Sequence, residues 1–227
     1  MSPTRLTFYF DFISPYAYFS WLKLDAFCTE HGLELCVQPV VFGKLLDHWG
    51  QLGPAEIPPK REWLLKYCYR YAKLHGFELK GPKFHPFNSL LALRMSLSDV
   101  AGTNQHAVIS AIFEAGWSKG CDIGDESVLV NILNEAGLNG EELASLARKD
   151  SSKLSLKNGT AGGIQCGVFG VPTMVIDGEL FWGNDQFEHM AMHCSQGAGI
   201  DSGVIREALS RERGIDRKTF KNRKADC

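Results

Sequence analysis

A proline at the entrance of a predicted buried strand limits how this chain can fold. Residues 167–178 form a tight loop, carry the Val171-Pro172 bond into an apolar strand, and end at the turn pair Asp177-Gly178. The turn leads into a second predicted strand, Glu179–Trp182. Proline donates no hydrogen bond to a sheet, so Pro172 is expected there only where its geometry is needed. X-Pro bonds adopt the cis form at modest cost, so a cis Val171-Pro172 bond would leave the Val171 backbone available to an extended peptide.

The composition is that of a globular protein with a core of its own. The chain has 227 residues, a length that exceeds one average domain, and 44% of them are hydrophobic. Its formal net charge of −2 gives no overall sign of a nucleic-acid partner or an anionic membrane. No apolar run approaches the length of a membrane-spanning helix, and the first residues lack the pattern of a signal peptide.

The cysteine pattern predicts a reducing, cytoplasmic location. The seven cysteines are scattered, odd in number and without a Cys-x-x-Cys pair, unlike a disulfide framework. Structural zinc also requires closely spaced ligands. His189 and His193 are one helical turn apart with no third ligand in view, so we expect a helix face there and no metal site.

The first forty residues have a strand–helix–strand pattern. Residues 6–12 are β-branched and aromatic, as in a buried strand. Ser14 is a good helix N-cap, and Pro15 suits the first helical position, so a helix is predicted up to about residue 31, before Gly32. Residues 33–40 are the second predicted strand, and parallel pairing with a right-handed crossover is expected.

Helical spacing dominates the middle of the chain, and the strand pattern returns only at Val171. The sequence therefore predicts one α/β domain, residues 1–41 and 156–227, interrupted by an all-helical insertion, residues 42–155. A helix from about Ser155 leads into the Pro172 loop, and another starts near Asp185. The charge-dense end, residues 206–227, is interpreted as an exposed helix with a frayed tail, or as a weak anionic-partner site. The predicted helices of the insertion are residues 61–75, 89–99, 105–119, 126–136 and 140–149.

The strand–helix–strand start and the Val-Pro strand together resemble the thioredoxin superfamily. In that fold the first helix begins at the end of the first strand, where unpaired N–H groups and the helix dipole stabilise a thiolate. Redox members place Cys-x-x-Cys there. Here Ser14 occupies the first cysteine position and no cysteine precedes Cys28, which excludes the usual disulfide chemistry.

A serine in a thiolate-stabilising position is useful if the thiol comes from a cofactor. The Ser14 hydroxyl could donate a hydrogen bond to a bound sulfur and help lower its pKa. Glutathione is the obvious soluble thiol, and its peptide backbone could pair with Val171. The alternative is that Ser14 is only a helix cap, although the two roles are compatible.

Two motifs make the resemblance more specific. Residues 10–16, Phe-Asp-Phe-Ile-Ser-Pro-Tyr, resemble the start of the 2-hydroxychromene-2-carboxylate isomerases and their relatives, the kappa-class glutathione transferases. Residues 167–173, followed by Phe-Trp-Gly-Asn-Asp at 181–185, are similar to the C-terminal signature of that group. The resemblance spans about residues 6–194. It implies a DsbA-like layout, a thioredoxin-like α/β domain with a helical insertion, reduced glutathione as cofactor, and a homodimer.

The resemblance also implies roles for single residues. Ser14 would be the catalytic serine that holds the glutathione sulfur, and Val171, beside Pro172, would bracket the glutathione cysteine. The turn after the last strand would bind the γ-glutamyl end, where a carboxylate suits the α-ammonium and helix N–H groups suit its carboxylate. An ordinary helix cap is the alternative for this turn. Its residues are Trp182, Gly183, Asn184 and Asp185.

Further residues are candidates in the insertion. Lys60 resembles the lysine that reaches the glycyl carboxylate of glutathione, and Lys44 could meet a substrate carboxylate; both could equally be solvated surface residues. Asn88 lies in a helix start resembling that of the family, or is simply an N-cap. Tyr16 is a candidate aromatic wall for a planar substrate. Phe12, Trp49 and Trp117 are candidate walls too, although such residues are often core.

The activity implied by the resemblance is a glutathione-dependent isomerisation of hydroxychromene-carboxylates or similar small aromatic compounds. A bound thiolate would add reversibly to the conjugated ring system, the ring would open, a former double bond would rotate, and elimination would return the thiol. A kappa-like transferase would instead keep the thioether. A non-catalytic glutathione- or peptide-binding module is the third alternative. No nucleic-acid or membrane partner is expected.

Overall fold

The computed structural model describes residues 4–197 and 201–214 of the chain. β1 (Arg5–Phe10), α1 (Pro15–His31) and β2 (Glu34–Pro39) confirm the predicted strand–helix–strand start, and β1 pairs with β2 in parallel. Gly32 ends α1 in the left-handed region, at φ 64°, as its position predicts.

The sheet has four strands in the order β2-β1-β3-β4. β3 (Thr173–Ile176) and β4 (Glu179–Trp182) are antiparallel to each other, and β3 is antiparallel to β1. Asp177 and Gly178 both have positive φ, 50° and 83°, which is the geometry of a two-residue hairpin turn. The hairpin predicted from the sequence is therefore confirmed.

Helices fill the chain between β2 and β3, as predicted, with local differences, one of which is that the sequence did not predict a helix at Phe42–Trp49. The predicted helix at 89–99 is two short helices, and the one at 105–119 ends in a π-helix, Glu114–Ser118. The helix expected from about Ser155 begins at Asp150, where a carboxylate in the first turn is favourable and pairs with Lys153. The helices are α2 (Phe42–Trp49), α3 (Pro58–His75), α4 (Leu90–Met95), α5 (Ser98–Ala101), α6 (Gln105–Phe113), α7 (Glu126–Glu135), α8 (Gly140–Ala147) and α9 (Asp150–Gln165).

The chain up to Met190 forms one compact unit, and a second begins at Ala191. The division into a thioredoxin-like domain and a helical insertion remains a prediction. After β4 come α10 (Phe187–Gln196) and α11 (Ser202–Ser210), and the basic end of the tail lies outside the described residues. None of the described helices is long and apolar enough to span a membrane.

The sheet and the helical segment share aromatic core residues. Phe10 and Phe12 are fully buried, with ring centroids 5.1 Å apart. Phe113 of α6 packs edge-on against Phe12 at 4.7 Å. From the π-helix that follows, the Trp117 indole Nε1 donates a buried hydrogen bond of 2.8 Å to the Phe12 carbonyl. The backbone after β1 is therefore anchored from the helical segment.

Asp11 ends β1 two residues earlier than predicted. Its backbone carbonyl accepts the Ser14 N–H at 3.0 Å, and its Oδ1 accepts the Ile13 N–H at 3.1 Å, so the chain turns instead of extending. Oδ2 accepts the N–H of Phe42, the first residue of α2, at 3.0 Å. One buried carboxyl group thus ties the turn before α1 to the start of α2.

Replacing Trp117 by phenylalanine should lower the free energy of unfolding by about 2–3 kcal/mol, because the buried Phe12 carbonyl loses its donor. Urea unfolding measures the loss. Trp49→Phe is the matched control, since its Nε1 also donates to a carbonyl, that of Val168, but its side chain is 44% exposed. The control should lose at most about 1 kcal/mol. Equal losses would contradict the anchoring role of Trp117.

Asp11 should make stability fall as pH rises. Burial raises the pKa of its carboxyl group, although bonds from Phe42, Ser89 and Ile13 oppose the rise. The folded state therefore keeps the proton to higher pH than the unfolded chain does, and stability is lost from about pH 4 upward. Urea titrations over a pH series should show wild-type stability decreasing relative to Asp11→Asn, which does not titrate. An increasing difference would contradict the raised pKa.

Candidate active site

Ser14 lies between the two motifs that the sequence analysis singled out. It is 7% exposed, and its Oγ accepts the Ala17 N–H at 3.2 Å, so it caps α1. The same hydroxyl donates to the Val171 carbonyl at 3.3 Å. The N-terminal serine and the distant Val-Pro loop are therefore in direct contact.

The Val171-Pro172 bond, whose isomer the sequence left open, is cis. Val171 is buried and packs with Val40, Leu45 and Val168. The loop fits closely against β4, because a Cβ at Gly170 would lie 2.5 Å from the Trp182 Nε1. The backbone around Val171 is thus held in a fixed place beside Ser14.

Two backbone donors near Ser14 have no acceptor. Among the hydrogen bonds of the described residues, none is donated by the N–H of Tyr16 or of Val171. The first turn of α1 also contains no acidic residue that would offset the positive end of the helix dipole. An unpaired donor at a helix N-terminus, such as the Tyr16 N–H, favours an anion, and a thiolate beside the Ser14 hydroxyl would suit both donors.

A cavity of about 290 Å³ opens at this point. Ser14, Tyr16 and Val171 line it, together with groups from α2, from the segment before α3 and from the loop before α4. Most of the wall is apolar, and among the described lining residues none is lysine or arginine. The other lining residues are Ile13, Pro15, Phe42, Gly43, Leu46, Gly53, Pro54, Ala55, Glu56, Leu64, His85 and Pro86.

The turn after β4 is joined to the Val-Pro loop. The Gly183 N–H donates to the Pro172 carbonyl at 3.0 Å. Gly183 has φ 117°, and a Cβ there would lie 2.6 Å from the Asp185 Oδ1, so glycine suits this position. Asp185 is exposed, and its Oδ1 also accepts from Gln186.

Asn184 connects this turn to the aromatic side of the cavity. It is 4% exposed, and its Nδ2 donates to the Tyr67 hydroxyl at 3.2 Å. The Tyr67 ring in turn packs edge-on against Tyr16, with centroids 5.4 Å apart. Burial is the main cause that raises the pKa of Tyr16, so its hydroxyl stays protonated at neutral pH. Helix α1, helix α3 and the turn after β4 therefore meet around one side of the site.

The predicted basic residues are not among the described lining residues of the cavity. Lys44 is exposed and its Nζ forms an ion pair with Asp47 at 3.1 Å. Lys60 is exposed near the start of α3. Asn88 is exposed as well, and its Oδ1 accepts the N–H of Leu90, the first residue of α4, whose N-cap position is Ser89. Roles for these three residues remain predictions.

Of the four candidate aromatic walls, only Tyr16 is a cavity-lining residue. Phe12 and Trp117 are not lining residues, because both are buried in the core: Phe12 packs against Phe113, and the Trp117 indole donates to the Phe12 carbonyl. Trp49 is half-exposed and its indole holds the Val168 carbonyl.

Two residues at the site were not predicted. Asp11 holds the turn before Ser14, and His85 lines the cavity with its Nε2 3.0 Å from the Ile13 carbonyl. Asp11 lies in the same segment as Ser14, and His85 precedes Pro86. A single polar residue in such a segment does not indicate whether its side chain is buried, so neither role could be predicted from the sequence. No three His, Cys, Asp or Glu side chains in the described part of the chain are grouped to hold a metal ion.

Known proteins resemble this chain over most of its length. A 2-hydroxychromene-2-carboxylate isomerase from Sphingobium xenophagum is 27% identical over 189 residues, covering 82% of this chain and 95% of the relative. Glutathione S-transferase kappa 1 from Rattus norvegicus is 24% identical over 211 residues, covering 84% and 90%. These relatives are named as enzymes, and together they support a glutathione-related isomerase or transferase.

Solved structures resemble the fold of this chain as well. The solved structure of a 2-hydroxychromene-2-carboxylate isomerase superposes with a TM-score of 0.76 at 25% identity, covering 87% of this chain and all of that one. A family model described as a DSBA-like thioredoxin domain matches residues 5–195. The predicted thioredoxin-like α/β fold is confirmed, and the chain belongs to the DsbA-like thioredoxin domain family.

Proposed function

We propose that the protein is an enzyme that uses reduced glutathione to isomerise small aromatic compounds of the 2-hydroxychromene-2-carboxylate type. One observation carries the proposal: a buried serine, instead of a cysteine, stands at a helix N-terminus beside two unpaired backbone donors. Such a place stabilises a thiolate that the protein does not itself supply. The names of the relatives support both the cofactor and the class of reaction.

The residues present fit glutathione. The unpaired Val171 N–H and the Val171 carbonyl suit the two sides of the cysteinyl unit. The turn of residues 182–185 suits the γ-glutamyl end, since the Gly183 bond to Pro172 sets it directly against the loop. The exposed Asp185 carboxylate would pair with the α-ammonium group. Lys60 would reach the glycyl carboxylate.

Each group of the chain then has a defined task. Glutathione, when bound, supplies a thiolate that adds reversibly to the conjugated ring system and leaves after the ring has opened and rotated. The Ser14 hydroxyl and the Tyr16 N–H donate toward the sulfur and stabilise its negative charge. The apolar wall, including Tyr16 and Phe42, holds the planar ring and excludes water.

A kappa-class-like transferase is the second candidate. The absence of lysine and arginine from the described cavity lining favours it, because an uncharged electrophile needs no basic partner. Glu56, the one carboxylate among those lining residues, would repel an anionic substrate. The homodimer and the cytoplasmic location expected from the sequence remain predictions.

Glutathione should raise the melting temperature of the protein at millimolar concentration, because it binds only the folded state.

Ser14→Ala should raise the pKa of the bound thiol by about one unit, since the sulfur loses a hydrogen bond. Thiolate absorbance against pH measures this shift.

Asn139→Ala is the matched control for Ser14→Ala. Asn139 caps α8 through the Glu142 N–H, as Ser14 caps α1, but it does not line the cavity. Both variants should lose about 1 kcal/mol of stability, and only Ser14→Ala should change the thiol pKa. An unchanged thiol titration would restrict Ser14 to capping, and equal melting with and without glutathione would refute the cofactor.

Turnover distinguishes the two candidate reactions. With 2-hydroxychromene-2-carboxylate, an isomerase should give the ring-opened trans isomer while glutathione stays at its starting concentration. A transferase should consume one glutathione per electrophile and yield an aryl conjugate. Chromatography of product and thiol together measures both quantities. Failure of Ser14→Ala to slow either reaction would contradict the proposed site.

A further inference from the structure

His85 is a described lining residue whose chemistry the proposed reaction does not use. It precedes α4 and lines the cavity with Ser14, Tyr16 and Val171. Its Nε2 lies 3.0 Å from the Ile13 carbonyl oxygen. A carbonyl oxygen can only accept a hydrogen bond, so Nε2 must carry the proton. In the neutral ring, Nδ1 then holds a lone pair.

The Nδ1 atom is available for chemistry. Within the described part of the chain it takes part in no hydrogen bond, and it is not among the buried polar atoms that lack a partner. A ring nitrogen without a hydrogen-bond partner that is not fully buried is exposed to solvent, and His85 borders the cavity. The lone pair is therefore exposed, on a residue that shares the cavity lining with Ser14.

The surroundings of His85 keep the ring neutral in the protein alone. Burial is the main cause that lowers its pKa, and the charge of Arg61 on α3 lowers it further, while the Ile13 carbonyl acts in the opposite direction. The Arg61 guanidinium donates to the His85 backbone carbonyl at 3.2 Å. Trp117, from the π-helix, packs edge-on at 5.6 Å.

The described cavity lining holds two other titratable groups, Tyr16 and Glu56. Burial raises the pKa of Tyr16, so its hydroxyl is already protonated. Glu56 differs from His85 in being exposed, and its Oε1 accepts the Gly53 N–H at 2.6 Å. Asp11 is buried beneath the turn, with both oxygens bound to backbone donors. The neutral His85 imidazole is therefore our candidate for accepting the thiol proton.

We propose that His85 is the general base that removes the thiol proton of glutathione, an inference that rests on the proposed function. The S–H bond breaks, its electron pair stays on sulfur, and a new N–H bond forms at Nδ1. The products are a thiolate and an imidazolium, so no further reactant is needed. The thiolate lies by the Ser14 hydroxyl, and its charge stabilises the imidazolium. The proton returns when the thiol is released.

Proton counting tests this step without an activity assay. Glutathione binding is measured by calorimetry at neutral pH in buffers of different ionisation enthalpy, and thiolate absorbance is recorded in parallel. The wild type should form thiolate with fewer than about 0.3 protons released per site, because His85 retains the proton. Release of about one proton per thiolate in the wild type would overturn the proposal.

His85→Gln is the informative variant, since its amide N–H can still donate to the Ile13 carbonyl but it has no basic nitrogen. It should release about one proton for each thiolate that it forms, and turnover should fall at least about 100-fold. His48→Gln, at an exposed position outside the cavity, is the control and should match the wild type.

Different results would contradict the role of His85 and the proposed function. Binding accompanied by thiolate formation, with the same proton count in wild type and His85→Gln, would overturn the role of His85 and leave the proposed function standing. No glutathione binding at any concentration would overturn the proposed function, and the role of His85 with it. The wild-type proton count alone decides the matter if His85→Gln does not fold.

Discussion

Three side chains form hydrogen bonds with the backbone between β1 and α1, and the geometry of the site depends on these bonds. Trp117 donates to the Phe12 carbonyl, His85 contacts the Ile13 carbonyl, and Asp11 accepts the Ile13 N–H. Two of these side chains come from the helical segment between β2 and β3. The position of the Ser14 hydroxyl is thus set by groups far apart in sequence, and the helical segment is part of the site's support as well as its wall.

The features predicted from sequence are those with local causes. The ends of α1 follow from Ser14, Pro15 and Gly32, and the β3–β4 hairpin follows from Asp177-Gly178. The contact of Ser14 with Val171 is long-range, and it was anticipated only because the two motifs resemble a known pairing of positions. Sequence spacing by itself does not show that residues 157 positions apart share a hydrogen bond.

The features that were missed depend on tertiary burial. Helix α2 begins where the buried Asp11 carboxyl group accepts the Phe42 N–H, and no local N-cap side chain announces it. His85 acquires its tautomer from a carbonyl 72 positions away. Conversely, Lys44 was predicted from its sequence context alone, and the structure gives its amine a local partner on the surface. Charge and polarity in a sequence indicate what a side chain could do, whereas burial decides which neighbours it meets.

The single proton of the Ser14 hydroxyl would influence which thiols the proposed site selects. In the protein alone that proton is committed to the Val171 carbonyl. A thiol that carries a peptide N–H can take over the carbonyl and release the hydroxyl to turn toward sulfur. A simple thiol without an amide brings no such donor, so the carbonyl would compete with its sulfur for the same hydrogen. If glutathione binds as proposed, one hydroxyl group would couple recognition of the peptide backbone to activation of the thiol, and small cellular thiols would be disfavoured without any steric barrier.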